Sequence, residues 1–300
     1  MNEGKRIYRT ARNTQTSGAI TTFFDDLGSR VFVKSELVRL IEKNRKQWDI
    51  GGEASPDDVI DDLIRSLPLR RFVLDSANYP NEFKRFAWRD PDPLEVAASI
   101  RAPKSYLCHS SALFIHKLRD QAPRELCINY EQSNKPKASG GLTQEALDRA
   151  LRGKQRQSAF VFRYKRHRIV VLSGKHTDGL EVRELPLVTG AKVRVTSLER
   201  TLIDAAVRPG YAGGVESVLE AYRRSRHDVS ISRVVDTLRK LDHIYPYHQA
   251  IGFYMERAGF PVEQLSPLKA LGMNWDFYLA HSLRNPVFNR EWRIHHPKGL

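Results

Sequence analysis

The segment Val195–Tyr222, VTSLERTLIDAAVRPGYAGGVESVLEAY, constrains this chain more than any other stretch. It reads as two helices joined by a turn. Thr196 and Glu199 stand in the T-x-x-E order of a capping box, where each side chain satisfies an amide at the helix start. Leu198, Thr201, Leu202, Ala205 and Ala206 then recur at helical spacing on one face. Arg208-Pro209-Gly210 stops that helix. Gly213-Gly214 restarts the chain into Val215, Val218, Leu219 and Tyr222, an i, i+3, i+4, i+7 stripe. Two apolar stripes must be buried, so the segment predicts a packed helical pair edged by Glu199, Arg200 and Asp204, with no catalytic chemistry of its own.

Upstream, three helices and a hairpin are expected. Residues 1–18 lack a hydrophobic period and read as a flexible arm carrying Lys5, Arg6, Arg9 and Arg12. The first helix is predicted over Ile20–Leu27, and the second runs from Lys34 with Leu37, Leu40, Ile41 and Trp48 apolar until Gly51-Gly52. The third opens with Ser55 as N-cap, Pro56 in the first turn and Asp58 completing the cap. Strands at Arg70–Leu74 and Phe83–Trp88 flank a turn. This is the order of a winged helix-turn-helix, predicted over 19–93, with the break at Asp90-Pro91-Asp92-Pro93 as the domain boundary.

From 94 to 208 an α/β part is expected, and from 209 to 300 a mainly helical part, so the fold class is α+β. Pro103–Leu118 should be mostly helix, Glu125–Tyr130 a strand and Thr143–Leu151 a helix. Strands are predicted at Phe160–Tyr164 and Ile169–Leu172, joined by the turn Lys165-Arg166-His167, and at Glu181–Leu185 and Lys192–Val195. Helices follow over Val229–Leu241 and Tyr247–Ala258, and a short strand near 275–279.

Charge supplies the functional hint. The net charge of +14 favours a polyanionic partner, nucleic acid or an acidic protein. Residues 1–93 carry 16 Lys/Arg against 15 Asp/Glu, which leaves 33 against 20 beyond them. The surplus is therefore C-terminal, in the wrong half for a simple N-terminal DNA binder. Within the winged unit the DNA-facing candidates are the arm residues Lys5, Arg6, Arg9 and Arg12, then Arg65, Arg70, Arg71, Lys84 and Arg85, aimed at phosphates or a minor groove. Asp57, Asp58, Asp61 and Asp62 make the third helix a poor major-groove probe. A second candidate surface, for a polyanion or an acidic partner, comprises Arg149, Arg152, Lys154, Arg156, Arg163, Lys165, Arg166 and Arg168 with no acidic residue between them. Phe160, Phe162 and Tyr164 alternate within that run as the buried face of a strand.

Other chemistries find little footing. Cys108, His109, His116 and Cys127 match no zinc spacing, and no metal or other cofactor is expected. Asp178 with Glu181-x-Arg183 resembles a nuclease carboxylate set only loosely. Two cysteines give no disulfide framework, which points to a reducing cytoplasm. The polar, basic N-terminus does not read as a secretory signal, and no apolar run approaches the ~18 residues of a membrane span.

The phrases VTSLERTLID and AGGVESVLEA, with Tyr106-Leu107-Cys108-His109-Ser110-Ser111-Ala112-Leu113, His116 and Leu118, resemble the signature of the AbiEi antitoxin family. The likeness covers Pro103–Tyr222, and Cys108 stands where the family has Ser. It implies a non-enzymatic antitoxin of an abortive-infection, type IV toxin–antitoxin system, countering a nucleotidyltransferase-like toxin by contact or by undoing its product. It also implies an autorepressor that binds inverted repeats in promoter DNA as a homodimer. A stand-alone DNA-binding regulator or phage-defence protein, and a metal-dependent nuclease, are the alternatives.

Overall fold

The computed structural model describes residues 14–79, 81–136 and 141–300. The N-terminal unit runs α1 (Thr14–Asp26), β1 (Val31–Phe32), α2 (Lys34–Asn44), α3 (Pro56–Ser66), β2 (Leu69–Leu74) and β3 (Phe83–Trp88). Its strands form one antiparallel sheet in the order β1-β3-β2. The cap of α3 is as expected, with Ser55 Oγ accepting from the Asp58 amide at 3.2 Å. Ile20, Phe24, Leu37, Ile41, Trp48, Ile60, Leu63 and Trp88 fill the core, where the Phe24 and Trp88 rings stack at 4.7 Å. α1 starts at Thr14, so residues 14–18 of the expected arm are helical. Once Ile20 and Phe24 anchor the helix, each added residue gains a hydrogen bond without a new nucleation cost, and Thr21 Oγ1 adds a bond to Ser17 O.

A helix that the sequence pattern does not announce follows directly. Asp92 Oδ1 accepts from the Leu94 amide at 2.7 Å and Pro93 occupies the first turn, so the expected break begins α4 (Pro93–Ala98). Glu95 reaches back to the first unit, accepting from the Val31 amide at 3.0 Å, the Arg30 amide and Ser29 Oγ. Then come β4 (Tyr106–Leu107), α5 (His109–Ile115), β5 (Glu125–Asn129), α6 (Gln144–Arg152), β6 (Val161–Tyr164), β7 (His167–Leu172), β8 (Val182–Pro186) and β9 (Lys192–Thr196). They build a six-stranded mixed sheet, β6-β7-β5-β4-β9-β8, in which β5/β7 and β4/β9 pair in parallel. Pro103–Leu118 is thus not mostly helix: Tyr106 and Leu107 are an inner strand, too short for a period-2 signal.

Both faces of this sheet are covered, as the alternation along β7 requires. Ile169 and Val171 join Leu126, Ile128, α4 and the β2–β3 hairpin in one cluster. Val170 and Leu172 face the other way, with Tyr106, Cys108, Cys127 and Tyr211. Beyond that second face lie α7 (Leu198–Val207), α8 (Pro209–Ala212), α9 (Val215–Ser225), α10 (Ile231–Leu241), α11 (Tyr247–Arg257) and α12 (Ser266–Lys269). A small sheet of β10 (Phe277–Tyr278), β11 (Val287–Asn289) and β12 (Ile294–His296), ordered β10-β12-β11, closes the chain. The whole is α+β.

The α7 cap differs from expectation by one residue. Ser197 is the N-cap, its Oγ 3.4 Å from the Arg200 amide, while Thr196 Oγ1 meets Thr201 Oγ1 at 2.7 Å. Glu199 does not turn back to the helix start; it accepts from the Ser230 amide and pairs with Arg233 at 3.1 Å. Tertiary partners outcompete the local box. Gly213 and Gly214 have φ of 99° and 97°, a left-handed bend that explains the glycine pair between α8 and α9.

Candidate nucleic-acid interface

The two segments that carry the family resemblance meet in space. α5 packs on α7, and His116 Nε2 lies 2.7 Å from Thr196 O. Ser110 Oγ donates to Glu125 O at 2.7 Å, and Ser111 Oγ accepts from the Cys127 amide at 2.8 Å, tying α5 to β5. On α7, Arg200 Nε donates to Asp204 Oδ1 at 2.8 Å and Nη1 to Leu180 O at 3.0 Å. Tyr106 Oη donates to Glu131 Oε1 at 2.8 Å and accepts from Asn129 Nδ2. These polar residues face inward and serve one another.

The thiols and His109 share that interior. Burial pushes the Cys127 thiol up to about 12 and raises Cys108 as well, so neither is a thiolate nucleophile at neutral pH. His109 is only 7% exposed, has a left-handed φ of 46°, and neither ring nitrogen has a hydrogen-bond partner. Burial pulls its pKa down to about 4, so it is neutral at pH 7. Among the described residues no group of three or more His, Cys, Asp or Glu side chains could hold a metal ion. Asp178 is exposed, and Glu181 is engaged by Arg183 at 3.2 Å and Arg233 at 3.8 Å.

The N-terminal unit's cations are not displayed as the sequence suggests. Lys5, Arg6, Arg9 and Arg12 lie outside the described residues. Arg85 is a correction: it is 7% exposed, sits 3.9 Å over the Phe83 ring and donates to Ser99 O at 2.9 Å and Lys84 O at 2.8 Å. Burial lowers its pKa to about 10. It ties β3 to the end of α4 and cannot reach a phosphate. The others are exposed but paired: Arg65 with Asp62 at 3.6 Å, Arg70 with Asp90 at 2.5 Å, Arg71 with Asp61 at 2.8 Å and Lys84 with Glu82 at 2.7 Å. Nor is the hairpin turn free. Asn78 Nδ2 donates to Ala159 O at 2.6 Å, the Arg163 amide donates to Asp75 O at 2.8 Å, and the Phe83 ring lies 4.9 Å from that of Phe162.

The second cation set is also partly neutralised, by carboxylates distant in sequence. Lys165 and Arg70 share Asp90, whose carboxyl they hold below its usual range. Arg168 pairs with Glu125 at 3.1 Å and Arg152 with Asp148 at 3.5 Å. Arg149 and Arg152 lie in the last turn of α6, where the helix dipole favours cations. Lys165, with φ of 51°, and Arg166 make the two-residue β6–β7 turn, while His167 belongs to β7 and is buried. Arg149, Lys154, Arg156, Arg163 and Arg166 are exposed. The run is therefore not a single uncompensated patch.

The known proteins place the fold but not the activity. The RV2827C protein from Mycobacterium tuberculosis, a crystal structure, superposes with a TM-score of 0.57 over 97% of this chain and 94% of its own, at 14% identity. At that identity the likeness is one of fold. No family model matches the sequence, and no curated protein does.

One cation of the second set joins residues that the sequence did not single out. Arg156 lines a cavity of about 610 Å³ with Lys135, Arg208, Phe160, Ser158 and Tyr211. Phe160, expected inside a strand, precedes β6 and is 49% exposed. Lys135 stands in a polar loop and Arg208 in the helix-stopping Arg-Pro-Gly. Neither carries a local signal; chain folding alone brings them together.

Proposed function

We propose that this chain is the antitoxin of an AbiE-type pair, a non-enzymatic protein that counters a nucleotidyltransferase-like toxin and represses its own promoter. The observation that carries the reading is the meeting of the two resembling segments, Tyr106–Leu118 and Val195–Tyr222, in one mutually hydrogen-bonded centre. Motifs some eighty residues apart that complete each other in space are what a shared family scaffold requires.

The N-terminal unit is a winged helix-turn-helix in this reading, supported by the order α1-β1-α2-α3-β2-β3 and the antiparallel β1-β3-β2 sheet. α3 is the helix that would address the major groove. Its exposed Asp57, Asp58 and Asp61, and the docked hairpin turn, make DNA contact depend on cations released from weak surface pairs, each pair contributing about 0–1 kcal/mol. Repression then rests on phosphate contacts and falls steeply as salt rises.

Two measurements test this. Co-expression with a nucleotidyltransferase encoded beside it restores growth; failure to restore it removes the antitoxin reading. A shift assay on the upstream promoter, run from about 50 to 200 mM salt, shows binding that weakens by an order of magnitude or more. No shift at the lowest salt, or one unchanged in Arg70→Ala/Arg71→Ala, removes the repressor half.

A further inference from the structure

The cavity around Arg156 lies where ligands gather in sheets with parallel strands. β5 and β7 run in parallel and end at Asn129 and Leu172, and the residues that follow them, Gln132, Ser133 and Ser173, form one wall. Crevices beyond the carboxyl ends of parallel strands are open because the chain turns away there. At about 610 Å³ the cavity has the size of a small-molecule site.

Its lining has two halves. Lys135, Arg156 and Arg208 supply three cations, and none of the described lining residues is acidic. Among the described residues no carboxylate pairs with any of these three, unlike Lys165, Arg168 and Arg152. Lys135 Nζ donates to Gln132 Oε1 at 3.1 Å. The walls are set by backbone and hydroxyl bonds. Ser158 Oγ donates to Val171 O at 2.6 Å, the Ser158 amide donates to Tyr211 Oη at 2.9 Å, and Gln132 Nε2 donates to Ser173 O at 2.8 Å. The second half is aromatic. Phe160 borders both this cavity and an adjoining one lined by Tyr79, Tyr130, Phe162 and Arg101, whose guanidinium lies 5.5 Å over the Tyr130 ring. A phenylalanine left 49% exposed in the same lining as these cations supplies aromatic surface on which a planar ring can stack.

We propose that this groove binds a nucleotide, with phosphate held by Lys135, Arg156 and Arg208 and the base stacked on Phe160. The nucleotide is either free or one unit of a single strand; both present the same phosphate and base. The proposal stands on the groove alone and does not depend on the antitoxin reading.

Full-length protein is titrated with N-methylanthraniloyl-ATP and with fluorescein-labelled decauridylate at low and physiological salt. Saturable binding is expected, displaced by unlabelled ATP and far less well by inorganic tripolyphosphate. Phe160→Ala and Arg156→Gln each weaken it about tenfold, the scale of one lost base stack or phosphate contact. Both positions are exposed, so an unchanged melting temperature shows that the variants are folded. ATP matching the oligonucleotide in affinity assigns the site to free nucleotides, and a much tighter oligonucleotide assigns it to single strands. Absence of saturable binding of either probe at low salt overturns the proposal. So does tripolyphosphate competing as well as ATP, or wild-type affinity in both variants.

Discussion

Arg200→Met breaks the ion pair at the centre of the α5–α7 region and gives the sharpest test of how that region is held. Arg200 is 5% exposed and Asp204 9%, and their 2.8 Å contact is supported by the 3.0 Å bond from Arg200 to Leu180 O. Burial opposes the charge on Arg200, but Asp204 outweighs it and keeps the guanidinium pKa raised. Removing the cation leaves a buried carboxylate without its counter-ion and a carbonyl without its donor. Breaking a buried pair from one side costs about 3–5 kcal/mol. Replacing both partners by apolar groups of similar size removes the stranded charge as well, so Arg200→Met/Asp204→Leu should recover most of that loss. Urea unfolding at pH 7, followed by circular dichroism and tryptophan fluorescence together, reads the effect and exposes any second transition. Because the pair is buried, the loss should change little between low and high salt. A single-variant loss under about 1 kcal/mol, or a double variant as unstable as the sum of the singles, would refute a buried, coupled pair.

Gly252→Ala should destabilise despite the helix preference for alanine. A β-carbon there would fall inside the Trp292 ring, which is fully buried against α11, so overpacking of roughly 1–3 kcal/mol outweighs a propensity gain of about 1; an unchanged or higher melting temperature contradicts this. Acid should also weaken the fold between pH 6.5 and 4. Burial holds His109 and His243 at about 4, below the 6.5 of the unfolded chain, so the unfolded state binds more protons in that window. Each contributes stability on the order of 3 kcal/mol above pH 6.5 that is lost on acidification. His109→Asn, which tolerates a positive φ and does not titrate, should flatten the slope of urea midpoint against pH, the rest of it coming from His243 and the other buried histidines; an unchanged slope would show that His109 is not a titrating group.

Much of the architecture is written in local pattern. Ser55-Pro56 starts α3, Gly213-Gly214 separates α8 from α9, and the stripes of α9, α10 and α11 fall where their spacing puts them. These signals depend on neighbours within a turn or two, which sequence displays directly. Where the sequence misleads, a distant partner decides. Tyr106–Leu107 is a strand because β5 and β9 flank it, and Pro93 opens a helix that Glu95 anchors to β1. Phe160 lies just before the strand it was expected to join and is half-exposed.

The sequence by itself determined the fold class, the run of helices between Val215 and Arg257 and the place of the charge surplus. It could not say which charges are free. Asp90 neutralises Arg70 and Lys165, Glu125 neutralises Arg168, and Ser99 with Phe83 buries Arg85, each from another element. Ion pairing and burial act through a few ångströms of space whatever the separation along the chain. Only the tertiary structure could therefore bring Arg156, one cation of the second set, together with Lys135 and Arg208 in one groove.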